Sequence, residues 1–294
     1  MPAPTQAQLQ VVRTADPYKR GYSDAEFPRI QRLADGVFSY EQLRSAGNEK
    51  FTTVSLFVVT SAGVLVVDGQ GSAAETKRML DMIATFTPRP VTHLVIGSDH
   101  GDHTAGNAAF PAGVKVFAHP VSKAILEKGD PAAAARLITP VEKELNLTLG
   151  STEIRILFLG RAHTGGDLSV YLPKEKILFM SEAFLHRVFP AMRSAYPSEW
   201  VATIAKAQAM DVAIFVPGHG FVESASILKE ELEAARLALV QVIAEGKRLH
   251  AAGVPVDEAA ARAWFGDLET WTLRSSQGPV AIRRVYLELD GKLR

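Results

Sequence analysis

The chain has 294 residues, of which 47% are hydrophobic and 22% are charged, as in an ordinary globular protein. Its 32 basic and 32 acidic side chains balance, so the composition gives no indication of a nucleic-acid or acidic-membrane partner. The sequence has no cysteine, which excludes disulfides and thiolate ligands, so any metal must be held by His, Asp or Glu.

The N-terminal residues 1–35 are polar and rich in turn formers, and we expect an irregular arm there. Residues 1–10 lack the apolar core of a signal peptide, which favours the cytoplasm; the periplasm stays open if a leader was removed. No apolar run approaches the ~20 residues that span a bilayer, so we expect no membrane contact.

A strand hairpin and a helix are the next predicted elements. Residues 53–60 and 64–68 are apolar, β-branched runs on either side of a short turn, a pattern typical of two buried strands. Apolar residues at helical spacing predict a helix over 73–86. Residues 91–97 form a further buried strand, which leads directly into a group of His and Asp residues.

Shorter strands and helices follow to the end of the chain. In order, the pattern predicts a strand at 114–118, a helix at 121–128, hairpins at 145–159 and 168–180, a helix at 199–210, a strand at 212–216, a long helix at 224–251 and further helices over 255–294. Hairpins outnumber βαβ crossovers, which favours mixed sheets with helices on their outer faces. We expect one domain over 36–222, with a C-terminal helical extension, 223–294, packed on it.

Side chains of the metal-ligand type follow four of the predicted strands. They are His100, Asp102 and His103 after the first, and then His163, Glu182 and His219 after the other three. Strands fix the backbone, and the loops at their ends let several side chains converge. The sequence therefore predicts a metal site built from these six residues, with Zn²⁺, Fe²⁺ or Mn²⁺ as suitable ions.

The segments that carry these residues resemble the motifs of a known family. Ser98 to His103 is similar to the H-x-H-x-D-H signature of the metallo-β-lactamase superfamily, 161–167 to its second histidine motif, and 217–220 to its last. The resemblance covers roughly residues 36–222. It implies an α+β fold, a four-layer αββα sandwich of two mixed β-sheets with the metal at one edge. It also implies one or two Zn²⁺ ions and a small-molecule substrate.

The signature departs from the family at its first position, where Ser98 replaces a metal-binding His. The resemblance assigns the first metal site to that position together with His100 and His163, so we expect this site to be weakened. The second site would keep its three ligands, which are Asp102, His103 and His219. A second departure is Glu182, which stands where the family has a bridging Asp; it would either bridge two metals or lean towards one.

The resemblance implies hydrolysis of an ester, lactone, amide or related bond by a water that the metal activates, with its pKa lowered towards ~7. Asp102 would orient that water or accept its proton, and His100 and His163 would hydrogen-bond water or substrate if only the second site is filled. We also expect Ser98 and His186 near the substrate, His186 because its aromatic segment follows Glu182.

Two other functions stay open at the level of the sequence. One is an iron-dependent oxidoreductase of the same fold, and the other is a descendant that binds but does not catalyse. A homo-oligomer also stays open.

Overall fold

Two β-sheets and their flanking helices form the protein in the computed structural model, which describes residues 12–129 and 137–293. The strands are β1 (Arg29–Ala34), β2 (Val37–Ala46), β3 (Glu49–Thr60), β4 (Gly63–Val67), β5 (Val91–Val95), β6 (Lys115–Ala118), β7 (Ile138–Pro140), β8 (Glu144–Leu149), β9 (Thr152–Leu157), β10 (Ser169–Leu172), β11 (Ile177–Phe179) and β12 (Ile214–Val216). The helices are α1 (Ala73–Phe86), α2 (Gly101–Thr104), α3 (Pro120–Gly129), α4 (Pro197–Gln208), α5 (Ala225–Ala251), α6 (Val256–Arg262) and α7 (Arg274–Leu289).

Both sheets mix antiparallel and parallel pairs. The first sheet runs from β1 to β7 in chain order, antiparallel as far as β4 and parallel from there on. The second has the order β12-β11-β10-β9-β8, and only β11 and β12 are parallel. Helices supply the crossovers that parallel pairs require: α1 joins β4 to β5, and α4 lies between β11 and β12.

The alternation of side chains along each strand separates two apolar layers. In β4, Leu65 and Val67 belong to the core that includes the second sheet, whereas Val64 and Val66 pack with Met79 of α1 on the opposite face. The helices α4 and α5 join the core of the second sheet from its other side. The predicted four-layer αββα sandwich is therefore confirmed.

Helix α1 begins and ends at the predicted residues. Its N-cap is Ser72, whose hydroxyl accepts a hydrogen bond from the backbone N–H of Glu75. The long helix α5 also matches its prediction to within one residue. Within the described residues, no helix is long and apolar enough to cross a membrane.

The prediction of an irregular arm is wrong for Arg29–Ala34, which form the edge strand β1 and pair antiparallel with β2. The strand was hard to recognise because arginines interrupt its apolar residues, and Ile30 packs in one core while Leu33 packs in the other. The first 11 residues of that arm lie outside the described residues.

The last helices share the core of the sandwich. Ile282 and Val285 of α7 are fully buried in the apolar cluster that also holds the residues between the sheets. Helix α7 packs closely on α5 at Gly246, where an added Cβ would lie 2.6 Å from Val285 Cγ1. The C-terminal helices are thus continuous with the packing that supports the loops described next.

Candidate metal centre

Four connections that follow strands of the sandwich bring the predicted ligand residues together, and the first of them contains the short helix α2 with Asp102 and His103. Backbone hydrogen bonds tie these connections to one another and to the first sheet: Leu168 N donates to Gly97 O at 2.9 Å, and Val54 N of β3 donates to Gly218 O at 2.8 Å. Gly218 allows a close approach, because a Cβ at this position would lie 2.4 Å from the backbone of Ser181. The loops after β5, β9, β11 and β12 are thereby held at one place.

The first ligand group consists of His100, His163 and Glu182. His100 Nδ1 lies 3.0 Å from His163 Nε2 and 2.9 Å from Glu182 Oε2. His163 Nε2 lies 3.1 Å from Glu182 Oε1. Glu182 thus stands beside two imidazole nitrogens on the side of the cluster where Ser98 replaces the signature His.

The second ligand group consists of Asp102, His103, His219 and again Glu182. His219 Nε2 lies 3.2 Å from Asp102 Oδ2 and 3.1 Å from Glu182 Oε1. His103 Nε2 lies 3.4 Å from His219 Nε2. Glu182 therefore belongs to both groups, and its carboxylate lies between them.

The donor set fits a divalent metal. Two pairs of imidazole nitrogens face each other at 3.0 and 3.4 Å, and each pair shares the Glu182 carboxylate. A cation placed among such lone pairs and carboxylate oxygens satisfies all of them at once. Imidazole and carboxylate ligands suit Zn²⁺, Fe²⁺ and Mn²⁺.

The two carboxylates of the cluster are ionised, as metal ligands must be, whereas the raised pKa values of His100, His103 and His219 favour charged rings. Burial favours the neutral acid at Asp102 and Glu182, but the neighbouring imidazoles outweigh it and hold both carboxyl pKa values below their ordinary range. Burial lowers the pKa of His163, which keeps that ring neutral. At His219, burial opposes the charged ring, but Asp102 and Glu182 raise its pKa to about 10. A bound metal would take the place of that proton.

Asp68 supports the second group and was missed as a site residue in the sequence. This carboxylate is fully buried and has a left-handed backbone conformation, with φ of 64°. Its Oδ2 lies 3.1 Å from His103 Nδ1, and its Oδ1 accepts a hydrogen bond from Gly97 N at 2.6 Å. It therefore orients the His103 ring so that Nε2 faces the cluster. The available signal was a lone carboxylate at the end of the buried strand β4.

Two further contacts fix the other histidines. His219 Nδ1 donates to the carbonyl of Thr52 at 2.9 Å, which places the proton on that nitrogen and turns Nε2 to the cluster. The turn that carries His163 is closed by Asp167, which accepts hydrogen bonds from the N–H and the hydroxyl of Thr164, each at 2.7 Å. Burial raises the pKa of Asp167 to about 7.

Ser98 does not line the cavity beside the cluster, contrary to its expected place near the substrate. Its side chain is fully buried, and its hydroxyl donates a short hydrogen bond to Glu182 Oε2. The longer Glu182 side chain reaches this hydroxyl, so the two departures from the family signature contact each other. Ser98 thus positions Glu182.

The ring of His186 does not line the cavity beside the cluster, contrary to its expected place near the substrate, although its backbone N–H donates to His219 O at 3.0 Å. Its ring is fully buried, with Nδ1 2.7 Å from Phe221 O and Nε2 3.7 Å from Glu231 Oε2. The chain takes a left-handed conformation at Arg187, with φ of 60°, and Leu185 and Val188 face the cavity instead.

A cavity of about 330 Å³ opens onto the cluster. Five of the predicted ligands line it, and His103 is buried behind them. Asp102 has the most exposed side chain of the six, at 32%. The rest of the wall is largely apolar and consists of Ala46, Phe51, Leu185, Val188, Ala191, Arg193, Leu273, Gln277 and Val280.

Comparisons with known proteins agree with this architecture. The family described as the metallo-beta-lactamase superfamily matches residues 49–219, which include all six predicted ligands. A metallo-beta-lactamase type 2 of Bacillus sp. (strain 170) is 24% identical over 69% of this chain and 80% of its own length. A solved metallo-beta-lactamase from Pontibacter korlensis superposes with a TM-score of 0.64 at 20% identity, over 72% of this chain and 98% of its own. That likeness shows the fold.

A relative named for a different activity matches with the same identity. The 2,4-dinitroanisole O-demethylase subunit alpha of Nocardioides sp. (strain JS1661) is 24% identical over 65% of this chain. The chain spans only 55% of the length of that subunit. Relatives of equal identity to this chain thus carry names of different activities.

Proposed function

The chain belongs to the metallo-beta-lactamase superfamily, and from this premise we propose that it is a metal-dependent hydrolase of a small molecule. The observation that carries the proposal is the convergence of four histidines and two carboxylates on one cavity, with Glu182 shared by two ligand groups. Six converging ligand residues are not what a decayed, non-catalytic descendant would retain, even with Ser98 in place of the first signature His. The comparisons do not favour the iron-dependent oxidoreductase.

The six ligand residues would hold two metal ions. His100, His163 and Glu182 would hold one ion; Asp102, His103 and His219 would hold the other, with Glu182 between them. A bound Zn²⁺ would polarise the scissile carbonyl and lower the pKa of water at the site. Asp102, ionised and the most exposed of the ligands, accepts a hydrogen bond from the attacking water and orients it.

The proposed substrate is a small molecule with an ester, lactone, amide or related bond. The cavity volume of about 330 Å³ lies at the lower end of the range for small-molecule sites. Since relatives are named for β-lactam and dinitroanisole substrates, a panel should contain both compound classes, a lactone, an aryl ester and a thioester. Each compound is tested with Zn²⁺, Mn²⁺ and Fe²⁺ added in turn.

Metal analysis of protein purified without chelator tests the proposal. We expect between about one and two equivalents of a transition metal, since catalytic sites of this type bind their ion tightly. His219→Ala should lose most of it and keep less than about 1% of the hydrolytic activity. His119→Ala is the matched control, because this ring stacks on Phe158 outside the cluster. Protein that binds no metal at any loading would refute the proposal.

A further inference from the structure

Part of the cavity wall comes from a segment that lies beyond the residues matched to the family. Leu273, Gln277 and Val280, at the start of α7, line the same cavity as the ligand cluster. The family match ends at residue 219, so these side chains lie outside the part of the chain that the family shares. The C-terminal helices therefore contribute directly to the site as well as to the core.

The start of α7 is held firmly in place. Leu273 N donates to Glu49 Oε1 at 2.7 Å, and Leu273 has a left-handed conformation with φ of 68°. Phe189 N donates to Thr272 O at 2.8 Å, which joins this segment to the loop that follows Glu182. A branched residue keeps such a conformation only where its surroundings fix it. The wall is thus rigidly tied to the loop bearing Leu185 and Val188.

The chemistry of this wall is apolar. Outside the cluster, Arg193 and Gln277 are the only polar side chains among the described residues that line the cavity. Arg193 is exposed, whereas Leu273 is buried and Val280 half-buried. A purely polar substrate would leave the apolar wall without contacts, and water would have to stay against it.

We propose that Leu273 and Val280 select the substrate, which carries a compact alkyl or aryl group against them while its scissile bond faces the ligand cluster. This inference rests on the proposed function, since it assigns the substrate class of the same cavity. The apolar group supplies binding energy remote from the reacting bond. The helical extension thereby determines specificity, and the loops of the sandwich supply the chemistry.

Binding of straight-chain carboxylates to the metal-loaded protein tests the inference without needing turnover. Calorimetry should give affinities that rise from acetate through butanoate to hexanoate, by about fourfold for each buried methylene. Equal affinities across the series would overturn the inference. A graded series from a protein that hydrolyses nothing would instead leave the inference standing and refute the proposed function.

Two variants of Val280 locate the effect on α7. Val280→Phe fills the cavity and should lower hexanoate affinity at least about tenfold, while acetate affinity changes less than about twofold. Val280→Ala, which creates no clash, should lower hexanoate affinity by about threefold. Leu287→Phe and Leu287→Ala are the matched controls, because Leu287 lies on the same helix at 38% exposure and outside the cavity. If both Val280 variants bind hexanoate like the wild type, α7 does not contact the ligand.

Discussion

The two ligand groups differ in how their histidines are supported from behind. In the second group, His103 Nδ1 lies 3.1 Å from Asp68, and His219 Nδ1 is hydrogen-bonded to the carbonyl of Thr52. In the first group, neither His100 Nε2 nor His163 Nδ1 has a hydrogen-bond partner among the described residues. His103 Nδ1 also lacks a well-aligned hydrogen bond there, but it has the Asp68 carboxylate within ion-pair distance, which the first group's nitrogens do not have. Partners of this kind fix the tautomer and the direction of a ligating ring.

This difference in support means that the second group needs less rearrangement of its rings than the first to bind a metal. The second group presents rings whose orientation is already set, so binding costs it little rearrangement. The first group is positioned by ring contacts, such as that between His163 and Trp200, whose ring centroids are 5.2 Å apart. It also depends on Glu182, which accepts a hydrogen bond from Ser98. We therefore expect the second group to bind the first equivalent of metal and the first group to bind a weaker second one.

The largest effect is expected from Glu182, because it serves both groups. Glu182→Gln removes the shared negative charge, and we expect the affinity for both metal equivalents to fall by more than about 100-fold. Competition with a chromogenic chelator measures both. Glu41→Gln is the control, since Glu41 is an equally buried carboxylate outside the cluster. A loss confined to one equivalent would show that Glu182 serves one group alone.

A smaller effect, limited to the second group, is expected from Asp68. Asp68→Asn keeps the size of the side chain but removes the charge beside His103, so the tighter equivalent should weaken by about 10- to 100-fold. The weaker equivalent should change less than about threefold. Chelator competition resolves the two steps. Equal weakening of both equivalents would mean that the groups do not differ in support as described.

A still smaller effect, limited to the first group, is expected from Ser98. Ser98→Ala removes one hydrogen bond to a charged oxygen of Glu182, and the weaker equivalent should lose about tenfold in affinity. Ser122→Ala offers a matched comparison, because its buried hydroxyl bonds to Asp99 outside both groups. An unchanged weaker equivalent in Ser98→Ala would mean that Glu182 keeps its place without this hydroxyl.

The smallest expected effect is on protein stability, and it comes from Glu41, a buried carboxyl group outside the cluster. Burial raises the pKa of Glu41 to about 7, although Arg29 opposes the shift, whereas Glu182 among its imidazoles has a lowered pKa. The folded state therefore holds a proton on Glu41 that the unfolded state releases near its ordinary pKa of 4.5. The contribution of Glu41 to stability is present below about pH 4.5 and is lost as the pH rises to about 7.

Thermal unfolding of Glu41→Gln measures this contribution. The melting temperature of the variant relative to wild type should increase between pH 5 and pH 7.5 by about 2 °C or more, because the variant has no proton to lose. A difference that stays constant with pH would show that Glu41 does not titrate in this range.

The sequence predicted those parts of the molecule whose causes are local. Helix α1 was predicted from its apolar spacing, and each ligand was found because it directly follows a strand. The edge strand β1 was missed because its identity comes from pairing with β2. The roles of Asp68 and Ser98 were missed for a similar reason: their partners are His103 and Glu182, and residue types alone do not show which side chains meet.

The part of the cavity wall that α7 forms could not be predicted from the sequence either, because it depends on contacts between residues far apart in the chain. Leu273 and Glu49 are 224 positions apart in the chain, and no local pattern indicates their contact. His186 illustrates the opposite error, since proximity to Glu182 in sequence suggested proximity to the substrate. The left-handed turn at Arg187 directs that ring into the core instead.

The bond between Glu49 and Leu273 has a consequence for the order in which the site matures during synthesis. All six ligand residues precede α7 in the chain and are synthesised before it. The wall that Leu273 and Val280 form is therefore the last part of the cavity to be synthesised. It is fixed in place only when Leu273 meets Glu49, 224 positions earlier in the chain.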